Sequence, residues 1–264
     1  VMALAIVMPI SVDAATTLAE GLATVQEGGT LTIDGEYTEN LVVDKSVTIE
    51  GTNDAVLNGT ITVSGDNITV NVKNLTINGM LNITASTSSV TVDNVLLDGN
   101  NEVAKNILMT IRAKDTEIMV NNSEFKGFLK AGIYAETLNS LSVVGSAFNA
   151  LGTANIGDIS DFVASNPEHD KILRSAACID LNLGNQSGVT FDLDSIVLLE
   201  NEFRGVVKTV EDSTAGAVKV KLKNASNVTL SEDTVVTIMA NKFEDNTDDV
   251  VIGTSGDATT SNFP

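Results

Sequence analysis

One six-residue phrase recurs along most of the chain and limits what the chain can fold into. It occurs as SVTIEG, NLTING, NVLLDG, NSEFKG, GSAFNA, ENEFRG and ANKFED between residues 46 and 245. Its fourth position is always a large apolar residue, and four of the eight phenylalanines fall there. We predict that this position forms one core stack, made of Ile49, Ile77, Leu97, Phe125, Phe148, Phe203 and Phe243.

The sixth position of the phrase is usually glycine. Glycine tolerates a positive φ angle better than any other residue, so we interpret this position as a corner at which the chain turns. Two copies of the phrase carry Ala150 and Asp245 there instead. The glycines are Gly51, Gly79, Gly99, Gly127 and Gly205.

The residues around each phrase have the pattern of short β-strands. Runs such as TLTI, NITVNV and VKVKL alternate apolar and polar residues and are separated by Gly, Asn and Asp. In the first half of the chain, successive phrases are 20 to 28 residues apart, which accommodates three strands and three turns. This spacing predicts a solenoid whose stacked coils share one core, in a single domain of about seven or eight coils over residues 16–264.

A helix is predicted just before the first strand. Thr17 precedes Glu20 by three residues, which is the spacing of a capping box, and Gly28 and Gly29 supply a stop. The apolar residues between these signals follow a helical period and lie at Leu18, Leu22 and Val25.

Residues 16–51, TTLAEGLATVQEGGTLTIDGEYTENLVVDKSVTIEG, resemble the opening of right-handed parallel β-helix proteins of the pectate-lyase-like and NosD-like kind. The resemblance implies an all-β, right-handed parallel β-helix solenoid whose first coil is covered by an N-terminal capping helix. The family includes polysaccharide lyases and hydrolases, adhesins and structural proteins of cell surfaces. The fold alone therefore does not select an activity.

The first fifteen residues are interpreted as part of a secretory signal. About ten apolar residues are followed by small ones, and removal is expected near Ala14 or Ala15. The alternative is an ordered apolar strand or helix that the mature protein keeps. The signal predicts an extracellular protein, and no other stretch has the length of a membrane anchor.

Charge and cysteine content exclude several classes of partner. Acidic residues outnumber basic ones 35 to 15, and the formal net charge of −20 would repel a nucleic acid. Cys178 is the one cysteine, so no internal disulfide can form, and we interpret it as a small buried residue.

No catalytic constellation is recognisable in the sequence, and the prediction is that the protein is not an enzyme. The related lyases and hydrolases use an arginine or lysine base near calcium-binding carboxylates, or a group of aspartates. An insertion near residues 152–176 interrupts the repeat and is the alternative location of a ligand site, because inserted loops often carry function. Its candidate residues are Asp158, Asp161, Glu168, His169, Asp170, Lys171 and Arg174.

No cofactor is predicted, with calcium left open at the acidic run of residues 244–249. This run, EDNTDD, lacks the spacing of a calcium-binding loop, and a solvated turn is the alternative interpretation.

The two ends of the predicted solenoid differ. A helix covers the first coil, whereas the last residues, VVIGTSGDATTSNFP, contain no amphipathic cover. An uncovered coil exposes unpaired backbone groups, which favours pairing with another chain. Together with the acidic, aromatic-poor composition, this is similar in character to prokaryotic surface-layer and sheath proteins. The leading hypothesis is therefore a cell-surface structural protein that self-associates into polymers. A β-helix that binds or cleaves a cell-wall polysaccharide, or an adhesin module, is the alternative.

Overall fold

The computed structural model describes residues 10–11, 17–99, 107–150, 164, 175–206 and 214–254. These residues form one α-helix, α1 (Leu18–Thr24), one short 3-10 helix (Ala225–Asn227) and a long series of short strands. The first eleven strands are β1 (Ile10–Ser11), β2 (Thr30–Tyr37), β3 (Leu41–Val43), β4 (Val47–Leu57), β5 (Thr60–Val63), β6 (Thr69–Lys73), β7 (Thr76–Ile77), β8 (Met80–Ile83), β9 (Ser89–Asp93), β10 (Leu96–Asp98) and β11 (Ile107–Arg112).

From β6 onward each coil has three separate strands. The remaining strands are β12 (Glu117–Asn121), β13 (Glu124–Phe128), β14 (Ala131–Thr137), β15 (Ser140–Val144), β16 (Ala147–Ala150), β17 (Ala177–Leu183), β18 (Phe191–Leu199), β19 (Glu202–Arg204), β20 (Val218–Leu222), β21 (Val228–Met239), β22 (Lys242–Glu244) and β23 (Val250–Thr254).

Each coil contributes one strand, or one end of a long strand, to each of three faces, and all neighbouring strands are parallel. The first face contains β2, β4, β6, β9, β12, β15, β18 and β21. The second face is formed by the ends of β2 and β4 and then by β7, β10, β13, β16, β19 and β22. The third face is an 8-stranded sheet of β3, β5, β8, β11, β14, β17, β20 and β23, so the described strands make eight coils. The predicted right-handed parallel β-helix is confirmed.

The core stack of the second face contains six of the seven predicted residues. Leu97 pairs in register with Phe125, Phe125 with Phe148, and Phe148 with Phe203. The ring centroids of Phe125 and Phe148 are 4.6 Å apart, and those of Phe203 and Phe243 are 5.3 Å apart. Stacked aromatic rings at these separations add to the area that they bury.

The assignment of Ile49 to this stack was wrong. Ile49 pairs with Leu31 and Val72, which are core positions of the first face. The residue that precedes Ile77 in the second-face stack is Leu57. The reason is that β4 is a single long strand that serves both faces, whereas later coils use two separate strands.

The corner glycines are required for two different reasons. Gly127 and Gly205 have positive φ angles, as predicted. Gly79 and Gly99 do not, and a β-carbon at either would lie 2.0 Å or less from a backbone carbonyl oxygen of the neighbouring coil. Close approach of two coils, and not the turn conformation, therefore selects glycine at these positions.

A ladder of polar side chains joins the coils at the corner between the first and second faces. The backbone amide of Ser123 donates to the hydroxyl of Ser146 over 3.1 Å, and that of Ser146 donates to Asn201 Oδ1 over 2.9 Å. The amide of Asn201 donates in turn to Asn241 Oδ1 over 2.9 Å. Ser123, Ser146 and Asn201 are buried, so each side chain satisfies a backbone donor that water cannot reach.

Helix α1 covers the first coil, as predicted. Its capping box is present, because the Glu20 amide donates to Thr17 Oγ1 and the Thr17 amide donates to Glu20 Oε2. The Glu39 carboxylate also accepts from the Leu18 amide over 2.7 Å. Leu18 and Leu22 are buried against the strands beneath them.

Most of the first fifteen residues lie outside the described part of the chain. Ile10 and Ser11 form β1 and pair in parallel with Leu31 and Thr32 of β2. The secretory signal therefore stays a prediction.

Candidate functional site

The third face carries a row of polar residues on its outer side in the middle coils. Tyr134 of β14 pairs in register with Asp180 of β17, which pairs with Lys219 of β20. Along each strand the residues on either side of this row face the core, because side chains alternate along a strand. All three side chains of the row are nonetheless buried, with Lys219 only 1% exposed.

Glu136, two residues after Tyr134, is the centre of a hydrogen-bond network. It forms an ion pair with Arg112, whose Nε lies 2.5 Å from Glu136 Oε2. Glu136 Oε1 accepts from the Tyr134 hydroxyl over 2.8 Å and from Asn185 Nδ2 over 2.7 Å. Burial alone would raise the pKa of Glu136, but these three donors together hold it below its ordinary value. Glu136 is therefore ionised at neutral pH.

The tyrosine of this network is held in its neutral form. Burial, followed by the hydrogen bond to Glu136, raises the pKa of Tyr134 well above its ordinary value. The ammonium group of Lys130 lies 4.6 Å from the centre of the Tyr134 ring, in cation–π contact. A phenolate base at Tyr134 is disfavoured in this environment.

Lys219 and Asp180 form a buried ion pair beside this network. Lys219 Nζ lies 3.3 Å from Asp180 Oδ1, and the two side chains are 2% and 4% exposed. Lys219 Nζ also donates to the Ser175 carbonyl oxygen over 2.6 Å. Burial lowers the pKa of Lys219 to about 8, although the Asp180 charge opposes this effect.

Basic residues gather at this face of an otherwise acidic protein. Arg112 is exposed, and the partly buried Lys130, Lys221 and Lys223 lie on or next to the strands of the middle coils. Burial lowers the pKa of Lys221 as well. We call these four residues the rim of positive charge; within it, Arg112 is paired with Glu136.

This arrangement combines the side chains used in acid–base chemistry with an enclosure that excludes large substrates. An amine, a phenol and two carboxylates are adjacent, which is a combination that general acid–base catalysis can use. However, Lys219 and Tyr134 are 1% and 8% exposed, so a polysaccharide chain cannot reach their functional atoms in this conformation. The row spans three adjacent coils.

The residues predicted for the ligand loop lie in the insertion near residues 152–176. Asp158, Asp161, Glu168, His169, Asp170, Lys171 and Arg174 all lie outside the described residues. Ser175, at the end of the insertion, is described and accepts the hydrogen bond from Lys219. The hypothesis of a ligand-binding loop stays a prediction.

The acidic run at residues 244–249 is partly engaged in contacts with other side chains and with the backbone. Glu244 pairs with Lys242 over 2.6 Å, and Asp245 pairs with Arg204 over 3.0 Å. Asn246 Nδ2 donates to the Phe203 carbonyl oxygen over 2.9 Å. In the part of the chain that the structure describes, no three His, Cys, Asp or Glu residues are grouped closely enough to hold a metal ion.

A groove of about 490 Å³ lies at the corner between the first and second faces, near the start of the solenoid. Its lining includes Asp54, Asn74, Asn94 and Glu124. None of its lining residues is aromatic, so the groove lacks the flat apolar surfaces on which sugar rings commonly pack.

The last coil, formed by β21, β22 and β23 and called here the open coil, has an uncovered edge. Each strand lies at the end of its face, and no other described strand pairs with its outer side. Val250 and Ile252 occupy core-facing register positions opposite Val218 and Val220, yet they are 39% and 52% exposed. Phe243 is only partly buried. The core of the described solenoid is therefore open at this end.

No family model matches the chain, and no curated protein matches it in sequence. Among solved structures, an alginate lyase from Paenibacillus sp. str. FPU-7 is similar at 12% identity and a TM-score of 0.35, over 94% of this chain and 98% of that chain. At this TM-score the likeness carries no argument about activity. Among the described helices, none combines the length and apolar character that a membrane span requires.

Proposed function

We propose that this protein is an extracellular structural protein that associates with copies of itself through the open coil. The observation that carries the proposal is the exposure of Val250 and Ile252 at core-facing positions, beside the partly buried Phe243. Exposed core residues next to an unpaired strand edge are the combination that drives β-strands of separate chains together. We propose that the partner that covers the open coil is a second copy of this chain.

The first coil limits the geometry of this association. Helix α1 covers the amino end, so an open coil cannot add to the first coil of another copy without displacing Leu18 and Leu22. The contact therefore joins the open coils of two copies, and a two-fold axis relates these two copies. A two-fold contact closes on itself, so edge pairing alone gives a pair and not a polymer.

A second surface could join such pairs into a layer or sheath. One row of register-paired positions on the outer side of the first face changes from charged to apolar along the solenoid. It contains Glu50 and Lys73 in the early coils and Val144, Leu199 and Met239 in the late ones. We call the last three residues the apolar strip. Met239 is 59% exposed. Because each copy carries many negative charges, lateral contact through this strip is expected to need salt or a divalent cation.

Sedimentation velocity on the purified chain tests the proposal. Ile252→Lys places a charge at the open coil and is expected to abolish the pair, leaving monomers at concentrations at which the parent protein associates. The matched control is Val42→Lys, because Val42 is 59% exposed but lies on the third face near the other end. Association that survives Ile252→Lys, or that Val42→Lys abolishes equally, would contradict the proposal.

Binding of an acidic polysaccharide is a second candidate function. It is favoured by the rim of positive charge formed by Arg112, Lys130, Lys221 and Lys223. Titration calorimetry with a polyuronate and with a neutral glucan would test it. Binding of the polyuronate alone, lost in a Lys130→Ala, Lys221→Ala variant and retained in Lys45→Ala, would support this function. Equal affinity for both polymers would contradict it.

A further inference from the structure

Lys219 and Asp180 differ from the exposed ion pairs of the molecule in their surroundings. They lie on the neighbouring strands β17 and β20, the sixth and seventh strands of the third face, which belong to coils six and seven. Their strand neighbours Ile179, Val218 and Val220 are fully buried core residues. Other pairs, such as Lys126 with Asp98, keep a partly exposed lysine. The Lys219–Asp180 pair is thus the described ion pair with the least access to water.

The two side chains are close together, but few hydrogen bonds offset the cost of removing their charges from water. Lys219 Nζ lies 3.3 Å from Asp180 Oδ1 and directs a hydrogen bond to the Ser175 carbonyl oxygen instead. Asp180 Oδ1 is buried and accepts no hydrogen bond from the described residues. The hydroxyl of the adjacent Tyr134 donates its hydrogen bond to Glu136. A buried ion pair needs additional hydrogen bonds to offset its desolvation, and Asp180 Oδ1 receives none from the described residues.

We propose that Lys219 and Asp180 form an intramolecular amide bond that joins coils six and seven covalently. The ammonium group first transfers one proton to the carboxylate, which leaves a neutral amine beside a neutral carboxylic acid. The Nζ lone pair then adds to Cγ of Asp180 and forms a C–N bond. Cleavage of a C–O bond releases one water, which takes a second proton from Nζ. The reaction is a condensation and needs no oxidant, reductant or co-reactant.

The environment favours the neutral amine that this condensation needs. Burial penalises the charged ammonium group and lowers the pKa of Lys219 to about 8, so that a substantial fraction of the amine is neutral in mildly alkaline solution. The charges of Lys130 and Lys221 act on Lys219 in the same direction. The exclusion of water also protects the amide from hydrolysis.

The intact mass of the denatured wild-type chain tests the proposal. The expected mass is that of the purified chain, with its amino terminus determined by sequencing, less one molecule of water. Digestion with trypsin is expected to give one linked product in which residues 175–204 are joined to residues 209–221, because an acylated Lys219 is not cleaved. A full sequence mass, with separate peptides ending at Lys219, would overturn the proposal.

Three variants locate the bond. Lys219→Arg and Asp180→Ala each remove one reacting group and are expected to have their full sequence masses. Lys126→Ala, the matched control at the partly exposed pair with Asp98, is expected to keep the loss of water. Because mass is read on denatured protein, the outcome does not depend on self-association, and its failure leaves the proposed function untouched. Loss of water that persists in Lys219→Arg would show that Lys219 is not the site.

Discussion

The two ends of the described solenoid are built from the same kind of coil but are finished differently. At the amino end, helix α1 lies over the first coil, and Leu31 and Ile33 are completely buried. At the other end, the open coil presents Ile252 at 52% exposure although its register partner Val220 is fully buried. The coils are equivalent in register, so the difference lies in what covers them.

The comparison teaches that burial in a solenoid comes from the next coil and not from the residue itself. An apolar residue at a core-facing position is buried only when a further coil or a cap lies over it. The amino end has such a cap in helix α1, which begins at a capping box and is followed by a glycine pair. The open coil has the same apolar residues without a cap among the described residues, and we infer that a second copy takes that place.

The largest difference is expected within the phenylalanine stack. Phe203→Ala should lower the free energy of unfolding by about 3–5 kcal/mol, because its ring is fully buried between two others. Phe243→Ala in the open coil should cost about half as much, because less area is buried. Denaturant titrations at low protein concentration measure both. Equal losses would contradict the description of an open end.

Aliphatic residues at the two ends give a second comparison. Leu18→Ala should destabilise the protein by about 2–5 kcal/mol, because Leu18 is fully buried under the cap. Ile252→Ala should cost less than about 1 kcal/mol in the monomer. At concentrations that favour association, the cost of Ile252→Ala should rise, since the side chain is then covered. An effect independent of concentration would argue against a partner at the open coil.

The capping box makes a smaller contribution at the closed end. Thr17→Ala removes the hydroxyl that accepts from the Glu20 amide and should lower stability by about 1 kcal/mol. Thr17→Ser retains the hydroxyl and is the control. Thermal unfolding followed by circular dichroism measures the shift. If Thr17→Ala and Thr17→Ser are equally stable, the cap does not hold α1 on the first coil.

The smallest effect is a difference in pH dependence between a middle coil and the open coil. The folded-state pKa of Glu136 is lowered from 4.5, so its stabilising contribution is present above pH 4.5 and is lost as pH falls through the folded value. Glu136→Gln should therefore destabilise the protein more near neutral pH than in acid. Glu244→Gln should show little pH dependence, because the Glu244–Lys242 pair is exposed and screened. Similar profiles for the two variants would contradict this assignment.

Local signals in the sequence were sufficient to predict the repeat and the helix that caps the first coil. They failed at Ile49, because β4 is one long strand that lacks the corner separating two strands in later coils. The phrase SVTIEG therefore lies on the first face, although it matches the phrases of the second face. The local signals also failed to explain Gly79 and Gly99, where the limiting contact is a carbonyl oxygen of another coil. Contacts between coils depend on register, which a single phrase does not specify.

The polar row of the third face was missed for the same reason. Tyr134, Asp180 and Lys219 are adjacent only because three strands align, and the chain between those strands varies in length. A usable signal was present in the strand segments GIYAET, CIDLNL and VKVKL. Each carries a polar or aromatic residue at the outward position in the middle of a buried strand, and aligning these segments brings the three residues together.

Amide hydrogen exchange measured at two protein concentrations tests the central claim most directly. If the open coil pairs with a second copy, amides of β21, β22 and β23 should exchange more slowly as the protein concentration rises. Amides of β2 and β3 under the helix cap should exchange at the same rate throughout. Exchange in the open coil that is independent of concentration, or protection that grows at the first coil instead, would contradict the account.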